Sequence, residues 1–166
     1  MDNFFKNFDS LEKREGVYIH NKAENSNLYD KMWELQGQKM FGTHWGHQRV
    51  EKLLHFTAGE ALFDFKNKIV LDAASGLGRF SVAAAELGAK FVFVVDGSFI
   101  GPKKTHDVVK SKKIPYEDVR QENIINLNNL EKPLDKFCFL QSNLDNITEV
   151  FKSKQFDIII HHMALH

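Results

Sequence analysis

The architecture of this chain can be predicted from one segment, Val70-Leu71-Asp72-Ala73-Ala74-Ser75-Gly76-Leu77-Gly78-Arg79-Phe80. It opens with aliphatic residues, passes through two glycines and continues with apolar residues at helical spacing. This order predicts a strand, a tight loop and a helix. Gly76 and Gly78 lack a Cβ, so the backbone of the loop can approach a ligand closely, and the first N–H groups of the helix point toward it. Such a loop favours a nucleotide-like cofactor.

The composition is typical of one globular domain with a hydrophobic core. The chain has 166 residues, of which 43% are hydrophobic and 27% are charged. Basic and acidic residues number 22 each, so the charge favours neither nucleic acid nor an anionic membrane as a partner. The N-terminus lacks the apolar core of a secretory signal, and no segment approaches the ~20 apolar residues of a membrane span.

The single cysteine, Cys138, lies in an apolar run and permits no internal disulfide. We therefore expect a reducing, cytoplasmic location. A buried thiol of this kind is favoured as packing rather than as a nucleophile.

The first 47 residues differ in character from the rest of the chain. Residues 1–30 are polar with scattered aromatic residues, which predicts a partly ordered arm with short helical pieces. Residues 28–47 gather aromatic side chains, among them Trp33 and Trp45, and predict a segment that packs on the domain, with a lid as the alternative. His44 and His47 are interpreted as surface or packing residues. We divide the chain into an N-terminal arm with a lid-like segment, 1–47, and the N-terminal part of a cofactor-binding domain, 48–166.

Beyond residue 47, apolar runs alternate with helical patterns. An amphipathic helix is predicted over residues 48–63, and a first strand over 69–71 leads to a helix that closes at Gly88. The second strand, 91–95, is apolar throughout, as expected of a strand buried on both faces. A helix over 98–113 and an insertion of unknown purpose over 114–134 precede the third and fourth strands, 137–140 and 156–160. The alternation predicts an α/β fold with a Rossmann-like, doubly wound parallel sheet.

An acidic residue, Asp96, follows the second strand about 20 residues beyond the glycine loop. In open parallel sheets, ligands bind at the edge formed by the carboxyl ends of the strands. Asp96 at this position predicts a carboxylate that holds the two hydroxyls of a ribose. The alternative is a carboxylate that caps a turn or a helix.

Four segments in this order resemble the class I S-adenosylmethionine-dependent methyltransferases, and most closely the small-molecule branch related to quinone-biosynthesis methyltransferases. They are the segments 72–79, 94–98, 140–144 and 156–160, the last followed by Leu165-His166. The resemblance extends from about residue 62 to the end, with a looser likeness around residues 33–49. It implies S-adenosylmethionine as the cofactor and a small molecule as the methyl acceptor.

The resemblance also implies which residues contact the cofactor. Asp72, Gly76 and Gly78 would surround its methionine and ribose portions, Asp96 with Gly97 would hold the ribose hydroxyls, Asn143 and Leu144 would flank adenine, and His161 would face the sulfonium. Ala74 stands where the family usually has its first glycine, which leaves a methyl group at a point of backbone approach. Asn143 stands where the family more often has Asp, and its amide oxygen can still accept from the adenine amino group.

Two other functional classes stay open. A nicotinamide-dependent oxidoreductase is less favoured, because Ser81 stands where a dinucleotide loop has its third glycine and Asp72 suits a cationic cofactor better than a pyrophosphate. The other class is a non-catalytic module that binds S-adenosylmethionine or a protein partner.

No catalytic residue is predicted from the sequence. The sulfonium is already a strong leaving group, so methyl transfer requires mainly that the acceptor, the methyl group and the sulfur are aligned. His161, His162 or His166 would serve as a base only if the acceptor loses a proton. No metal site is predicted, since His162 and His166 have no carboxylate or cysteine beside them.

The fourth predicted strand, 156–160, gives information about the class of methyl acceptor and about whether the sheet is complete. It lacks the Asn/Asp-Pro-Pro-Tyr/Phe signature of many amino-group methylases, which favours a small-molecule acceptor. The family carries further strands after this one, so we expect a missing C-terminal segment or a protein partner to complete the sheet.

Overall fold

A computed structural model of the chain describes residues 3–21, 26–42, 64–112 and 130–161, with side chains for all of these except 36–42. The described residues form one six-stranded sheet in the order β1-β2-β5-β4-β3-β6. Its strands are β1 (Glu12–Arg14), β2 (Val17–Ile19), β3 (Ile69–Ala73), β4 (Phe91–Asp96), β5 (Phe137–Gln141) and β6 (Ile158–His161). β1 is antiparallel to β2, and every other neighbouring pair is parallel.

The helices are α1 (Ser26–Gly42), α2 (Arg79–Glu86), α3 (Ile100–Ser111) and the short α4 (Ile147–Val150). Single 3-10 turns span Phe8–Ser10, Pro133–Lys136 and Leu144–Asn146. Among the described residues no helix is long and apolar enough to cross a membrane.

This architecture confirms the predicted Rossmann-like α/β fold. The chain runs outward from β3 through β4 to β5 and then returns to place β6 on the other side of β3. A reversal of this kind is a topological switch point, and its carboxyl edge is where open α/β sheets bind ligands. The bounds differ slightly from the predicted ones, since β3 continues to Ala73 and β6 begins at Ile158 rather than at residue 156.

The sheet is buried on both faces. Along β4, Val92 and Val94 pack with α2 and α3, whereas Phe93 and Val95 belong to a second core on the opposite face. This alternation explains the continuous apolar run, because successive side chains of a strand point to opposite faces and here both faces are covered.

The second core is an aromatic cluster that includes the N-terminal segment. The ring centroid of Phe5 lies 4.9 Å from that of Phe151 and 5.9 Å from that of Phe93. Backbone hydrogen bonds fix the segment there: the Lys6 N–H donates to the Val150 carbonyl, and the Lys152 N–H donates to the Phe4 carbonyl, both at 2.8 Å. Residues 4–6 therefore cover a face of the sheet.

The N-terminal region contains a hairpin, β1–β2, that the sequence analysis did not predict, beside the expected short helical pieces, which are the turn Phe8–Ser10 and the start of α1. Glu15 and Gly16 both have positive φ angles, of 48° and 85°, as in the tight turns whose twist suits a hairpin. β2 then joins the sheet beside β5, with Val17 opposite Phe139.

Several predictions of the sequence analysis fall outside the described residues. These are the helix over 48–63, most of the insertion over 114–134, and the histidines at 44, 47, 162 and 166. The division near residue 47 and the covering of the outer edge of β6 stay predictions.

Replacing Phe5→Ala tests whether the N-terminal segment belongs to the cooperative core. Because Phe5 is 2% exposed, we expect the free energy of unfolding to fall by about 3 kcal/mol. Urea denaturation measures this change. Leu28→Ala, at a side chain that is 67% exposed, is the control and should alter stability by no more than about 0.5 kcal/mol. Equal effects of the two substitutions would contradict the packing described above.

Candidate functional site

The loop between β3 and α2 is built from closely approaching backbone. Gly76 and Gly78 have φ angles of 53° and 67°, in the left-handed region that favours glycine. A Cβ on Gly78 would overlap the side chain of Thr105 on α3, and one on Gly76 would lie 3.0 Å from the ring of Trp33. The two predicted glycines are therefore required by the packing of the loop.

Ala74 adopts the same left-handed conformation, with a φ angle of 58°. The sequence predicted only that its methyl group replaces the first glycine of the loop. The structure adds backbone strain, since a left-handed conformation costs a residue with a Cβ about 1–2 kcal/mol.

Asp96 lies beside this loop at the carboxyl end of β4. The Gly76 N–H donates to its Oδ2 at 2.7 Å, and the Ser98 N–H donates to its Oδ1 at 2.9 Å. The residue is 8% exposed, and burial raises the pKa of its carboxyl, more than these hydrogen bonds lower it. Asp96 thus contacts the predicted loop and caps the turn after β4, as the alternative interpretation predicted, while its role in holding a ribose stays a prediction.

Asp72 is turned toward α2 rather than toward the edge of the sheet. Its Oδ2 accepts a hydrogen bond from the Ser81 hydroxyl, and the residue is 2% exposed. Burial raises its pKa to about 7, with a smaller contribution from the nearby Asp96 carboxylate, against the lowering effect of Ser81. Ser81, the residue in place of a third glycine, therefore joins helix and strand through a side-chain hydrogen bond.

The tips of β4 and β5 are joined next to Asp96. The Gln141 side-chain amide donates to the Gly97 carbonyl at 3.1 Å, and the Ser142 N–H donates to the Asp96 carbonyl at 2.9 Å. The hydrogen bond to its carbonyl therefore holds Gly97 next to Asp96 at the end of β4.

Asn143 begins the segment predicted to flank adenine. Its side-chain oxygen accepts from the Asp145 N–H at 3.2 Å and so caps the turn that contains Leu144. Its own N–H donates to the side-chain oxygen of Asn21 at 2.8 Å. Leu144 is partly buried against the aromatic core.

His20 and Asn21 contact residues of the candidate site, and the sequence analysis did not single them out. They follow β2, which brings them to the carboxyl edge beside β5. There the His20 Nδ1 lies 3.2 Å from the hydroxyl of the buried Ser142. The sequence does contain a signal for them, because two polar residues directly follow the short apolar run 17–19, as at the end of a strand. The hairpin that brings this strand into the sheet was not predicted.

His161 ends β6 opposite Ala73, on the other side of the switch point, and its side chain is exposed. Within residues 3–21, 26–42, 64–112 and 130–161 no cluster of His, Cys, Asp and Glu could hold a metal ion. Cys138 is buried, as predicted, and burial raises the pKa of its thiol to about 12, which favours a packing role over a nucleophilic one.

Helix α1 lies over the loop and is tied to α3. The Asp30 Oδ1 accepts from the N–H groups of Phe99 and Ile100, each at 2.9 Å, and the Lys104 ammonium donates to the Trp33 carbonyl at 3.0 Å. The indole N–H of Trp33 and the hydroxyl of Ser75 are both buried and have no hydrogen-bond partner within the described part of the chain. Trp33 was predicted as packing with a lid as the alternative, whereas Asp30 was missed.

Comparisons with known proteins give distant structural similarity. The chain matches no protein-family model and no curated protein. Part of it is similar to PRMT6-SAH (23% identity, TM-score 0.38, covering 59% of this chain and 21% of that one). It is also similar to protein arginine methyltransferase 10 of Arabidopsis thaliana, with 22% identity and a TM-score of 0.35 over 57% of this chain and 26% of that one. A third similar structure is a Pyrococcus horikoshii protein provisionally assigned as an RNA methyltransferase, with 21% identity and a TM-score of 0.32 over 52% of this chain and 38% of that one.

The matched region spans between 21% and 38% of the length of these structures. Similarity at this level supports no statement about what the chain does. The fold assignment rests on the strand order and direction described above.

The strain at Ala74 predicts that Ala74→Gly stabilises the protein. Relief of the left-handed conformation is partly offset by the greater freedom of glycine in the unfolded chain, which leaves a gain of up to about 1 kcal/mol. Thermal and urea unfolding measure it. Ala83→Gly inside α2 is the control and should destabilise by at least about 1 kcal/mol. A loss of stability on Ala74→Gly would contradict the strained conformation.

The protonation of Asp72 predicts a pH dependence of stability. The native state keeps this proton up to about pH 7, whereas the unfolded chain releases it near the usual pKa of 3.8. Between these values the native state binds more protons, so the free energy of unfolding falls as pH rises, by at most about 1.4 kcal/mol per unit from this group. Asp72→Asn should make this slope shallower, leaving the contribution of Asp96. Urea unfolding from pH 4 to 7.5 measures the slope, and an identical slope in both proteins would refute the prediction.

Proposed function

We propose that this chain binds S-adenosylmethionine at the carboxyl edge of β3, β4 and β5 and transfers its methyl group to a small-molecule acceptor. The observation that carries the proposal is the hydrogen bond that the Gly76 N–H donates to the Asp96 carboxylate. It brings the side chain that is predicted to hold the ribose next to the loop that is predicted to contact the cofactor. The switch point lies directly beside this contact, where ligands of open α/β sheets bind.

The residues of the site fit such a cofactor. A carboxylate has about four acceptor positions, so Asp96 can hold two ribose hydroxyls while it keeps its two backbone donors. The amide oxygen of Asn143 has a second lone pair beyond the one that caps Asp145, and Leu144 supplies an apolar neighbour for adenine. The buried Trp33 N–H and the hydroxyl of Ser75, the residue before Gly76, have no hydrogen-bond partner among the described residues, and a bound ligand would supply one.

Bound S-adenosylmethionine would supply an activated methyl group. The residues of this chain would then bind and orient: Asp96 would fix the ribose, the loop would support the amino-acid tail, and the edge near His161 would remain for the acceptor. His161 would take a proton only from an acceptor that must lose one. Its exposed side chain at the switch point supports this assignment.

A small-molecule acceptor is proposed from the sequence of β6 and from the balanced charge of the chain. The segment Ile158-Ile159-Ile160-His161 carries no amino-group methylase signature, and equal numbers of basic and acidic residues provide no general attraction for nucleic acid.

A non-catalytic module that binds the same cofactor is the second candidate. The ring of Trp33 packs directly on Gly76, so the loop is already covered on one side by α1. Cofactor binding without release of S-adenosylhomocysteine in the presence of phenol, catechol and quinol acceptors would favour this candidate.

Asp96→Asn tests the cofactor site. The substitution keeps one acceptor oxygen and removes the charge and the second oxygen, so we expect at least about a tenfold loss of affinity for S-adenosylmethionine in calorimetry. Asp107→Asn on the outer surface of α3 is the matched control and should bind as the unsubstituted protein does. Unchanged affinity of Asp96→Asn, or no binding by the unsubstituted chain, would refute the proposal. Binding of NADH instead would point to an oxidoreductase.

A further inference from the structure

The end of the N-terminal hairpin is hydrogen-bonded to the carboxyl end of β5. The backbone N–H of His20 donates to the Gln141 carbonyl at 3.0 Å, which continues the pairing of β2 with β5 beyond Ile19. At the next residue a side chain replaces the backbone as the acceptor, since the Asn143 N–H donates to the Oδ1 of Asn21 at 2.8 Å. A residue of the hairpin therefore holds the backbone of Asn143.

The Ser142 hydroxyl takes part in the same contact. It lies 3.2 Å from the Nδ1 of His20, 3.4 Å from the Oδ1 of Asn21 and 3.2 Å from the carbonyl oxygen of Asn143. A hydroxyl has one hydrogen and two lone pairs, so it can accept from the imidazole and donate to one of the two oxygens. Ser142 is fully buried, so the hairpin holds the end of β5 through a hydroxyl that is shielded from water.

These contacts continue to the candidate site. The Ser142 N–H donates to the Asp96 carbonyl at 2.9 Å, and the Asp96 carboxylate accepts from the Gly76 N–H. On the other side, the Oδ1 of Asn143 accepts from the Asp145 N–H at 3.2 Å. The end of β5 is thus held by β4, by the hairpin and by its own following turn.

Asn143 is the residue that the proposed function places beside adenine. It is only partly buried, and its amide oxygen has a second lone pair that can accept from a ligand. Because Asn21 accepts from its N–H, the backbone of Asn143 is fixed before any ligand binds. A binding group that is already ordered loses less conformational freedom on binding, which favours affinity.

We propose that Asn21 is a positioning residue of the cofactor site: it fixes the backbone of Asn143 and thereby holds the Asn143 amide oxygen where it accepts from the adenine amino group. The selectivity of the site for adenine over a purine with a 6-oxo group then depends on the N-terminal hairpin. The inference rests on the proposed function and deepens it by assigning a role in base selectivity to Asn21.

Calorimetry with two ligands tests this role. S-adenosylhomocysteine carries the amino group of adenine, whereas S-inosylhomocysteine has a carbonyl oxygen in its place, which cannot donate to Asn143. Both ligands are titrated into the unsubstituted full chain and into Asn21→Ala, which removes the oxygen that accepts from the Asn143 N–H. We expect Asn21→Ala to bind S-adenosylhomocysteine about threefold to tenfold more weakly, the effect of one neutral hydrogen bond, and to change the affinity for S-inosylhomocysteine by less than about twofold. The preference for the adenosyl ligand therefore falls, which a purely structural contact would not cause.

Two further variants give matched comparisons. Asn21→Asp keeps an acceptor oxygen for the Asn143 N–H and should retain the preference for S-adenosylhomocysteine. Asn146→Ala is the control, because the Asn146 side chain donates to the exposed Glu149 at 3.1 Å, and it should leave both affinities unchanged. Should Asn21→Ala not fold, Asn21→Gln, which displaces the amide oxygen by one methylene group, should show the same loss of preference.

The contrary outcomes are distinct from a failure of the proposed function. Unchanged affinity of Asn21→Ala for S-adenosylhomocysteine would overturn the inference, as would an equal loss of affinity for both ligands or a loss of preference in Asn21→Asp. Equal affinity of the unsubstituted chain for the two ligands would overturn it as well. In each of these cases the unsubstituted chain binds the adenosyl ligand, so the proposed function stands. If the unsubstituted chain binds neither S-adenosylmethionine nor S-adenosylhomocysteine, the proposed function fails and the inference fails with it.

Discussion

The carboxylate of Asp96 accepts an N–H group from each of two backbone segments, and the geometry of the candidate site depends on this arrangement. One donor is Gly76 in the loop after β3, and the other is Ser98 in the turn after β4. The burial of Asp96 and the nearby Asp30 both raise the pKa of this carboxyl, so ionisation is opposed by its surroundings and favoured by the two donors. The Asp96 side chain thereby fixes the distance between the loop after β3 and the carboxyl end of β4.

The small residues of the site have a structural explanation that is independent of any ligand. A side chain on Gly78 would overlap Thr105, and one on Gly101 would overlap the carbonyl of Gly76, so α3 can approach the loop only because these positions lack a Cβ. Glycine spacing alone therefore does not distinguish a ligand loop from a tightly packed turn. The buried Trp33 indole N–H and Ser75 hydroxyl, which have no hydrogen-bond partner among the described residues, are not explained by this packing.

The central sheet could be predicted because residues 69–71, 91–95 and 137–140 are continuous apolar runs, as expected of strands that are buried on both faces. Asp96 could be predicted because its place follows from the end of such a run. The hairpin could not, since β2 has three residues and its turn, Glu15-Gly16, lacks the Asn-Gly or Asp-Gly pair that signals this geometry. Residue type and spacing also do not specify that Asp72 turns toward Ser81 or that Ala74 has a left-handed backbone, because both depend on tertiary packing.

The parallel pairing of β2 with β5 joins parts of the chain that are far apart in sequence: His20 and Ser142, which follow these strands and contact each other, are 122 residues apart. During synthesis at about 5–20 residues per second, β2 leaves the ribosome on the order of ten seconds before β5 exists. Throughout this interval Val17, which is fully buried in the native state, has its neighbour on β1 but lacks its partner Phe139 on β5. β2 is thus made well before the strand that completes its burial, and chaperones that bind exposed apolar segments can reach it during this interval.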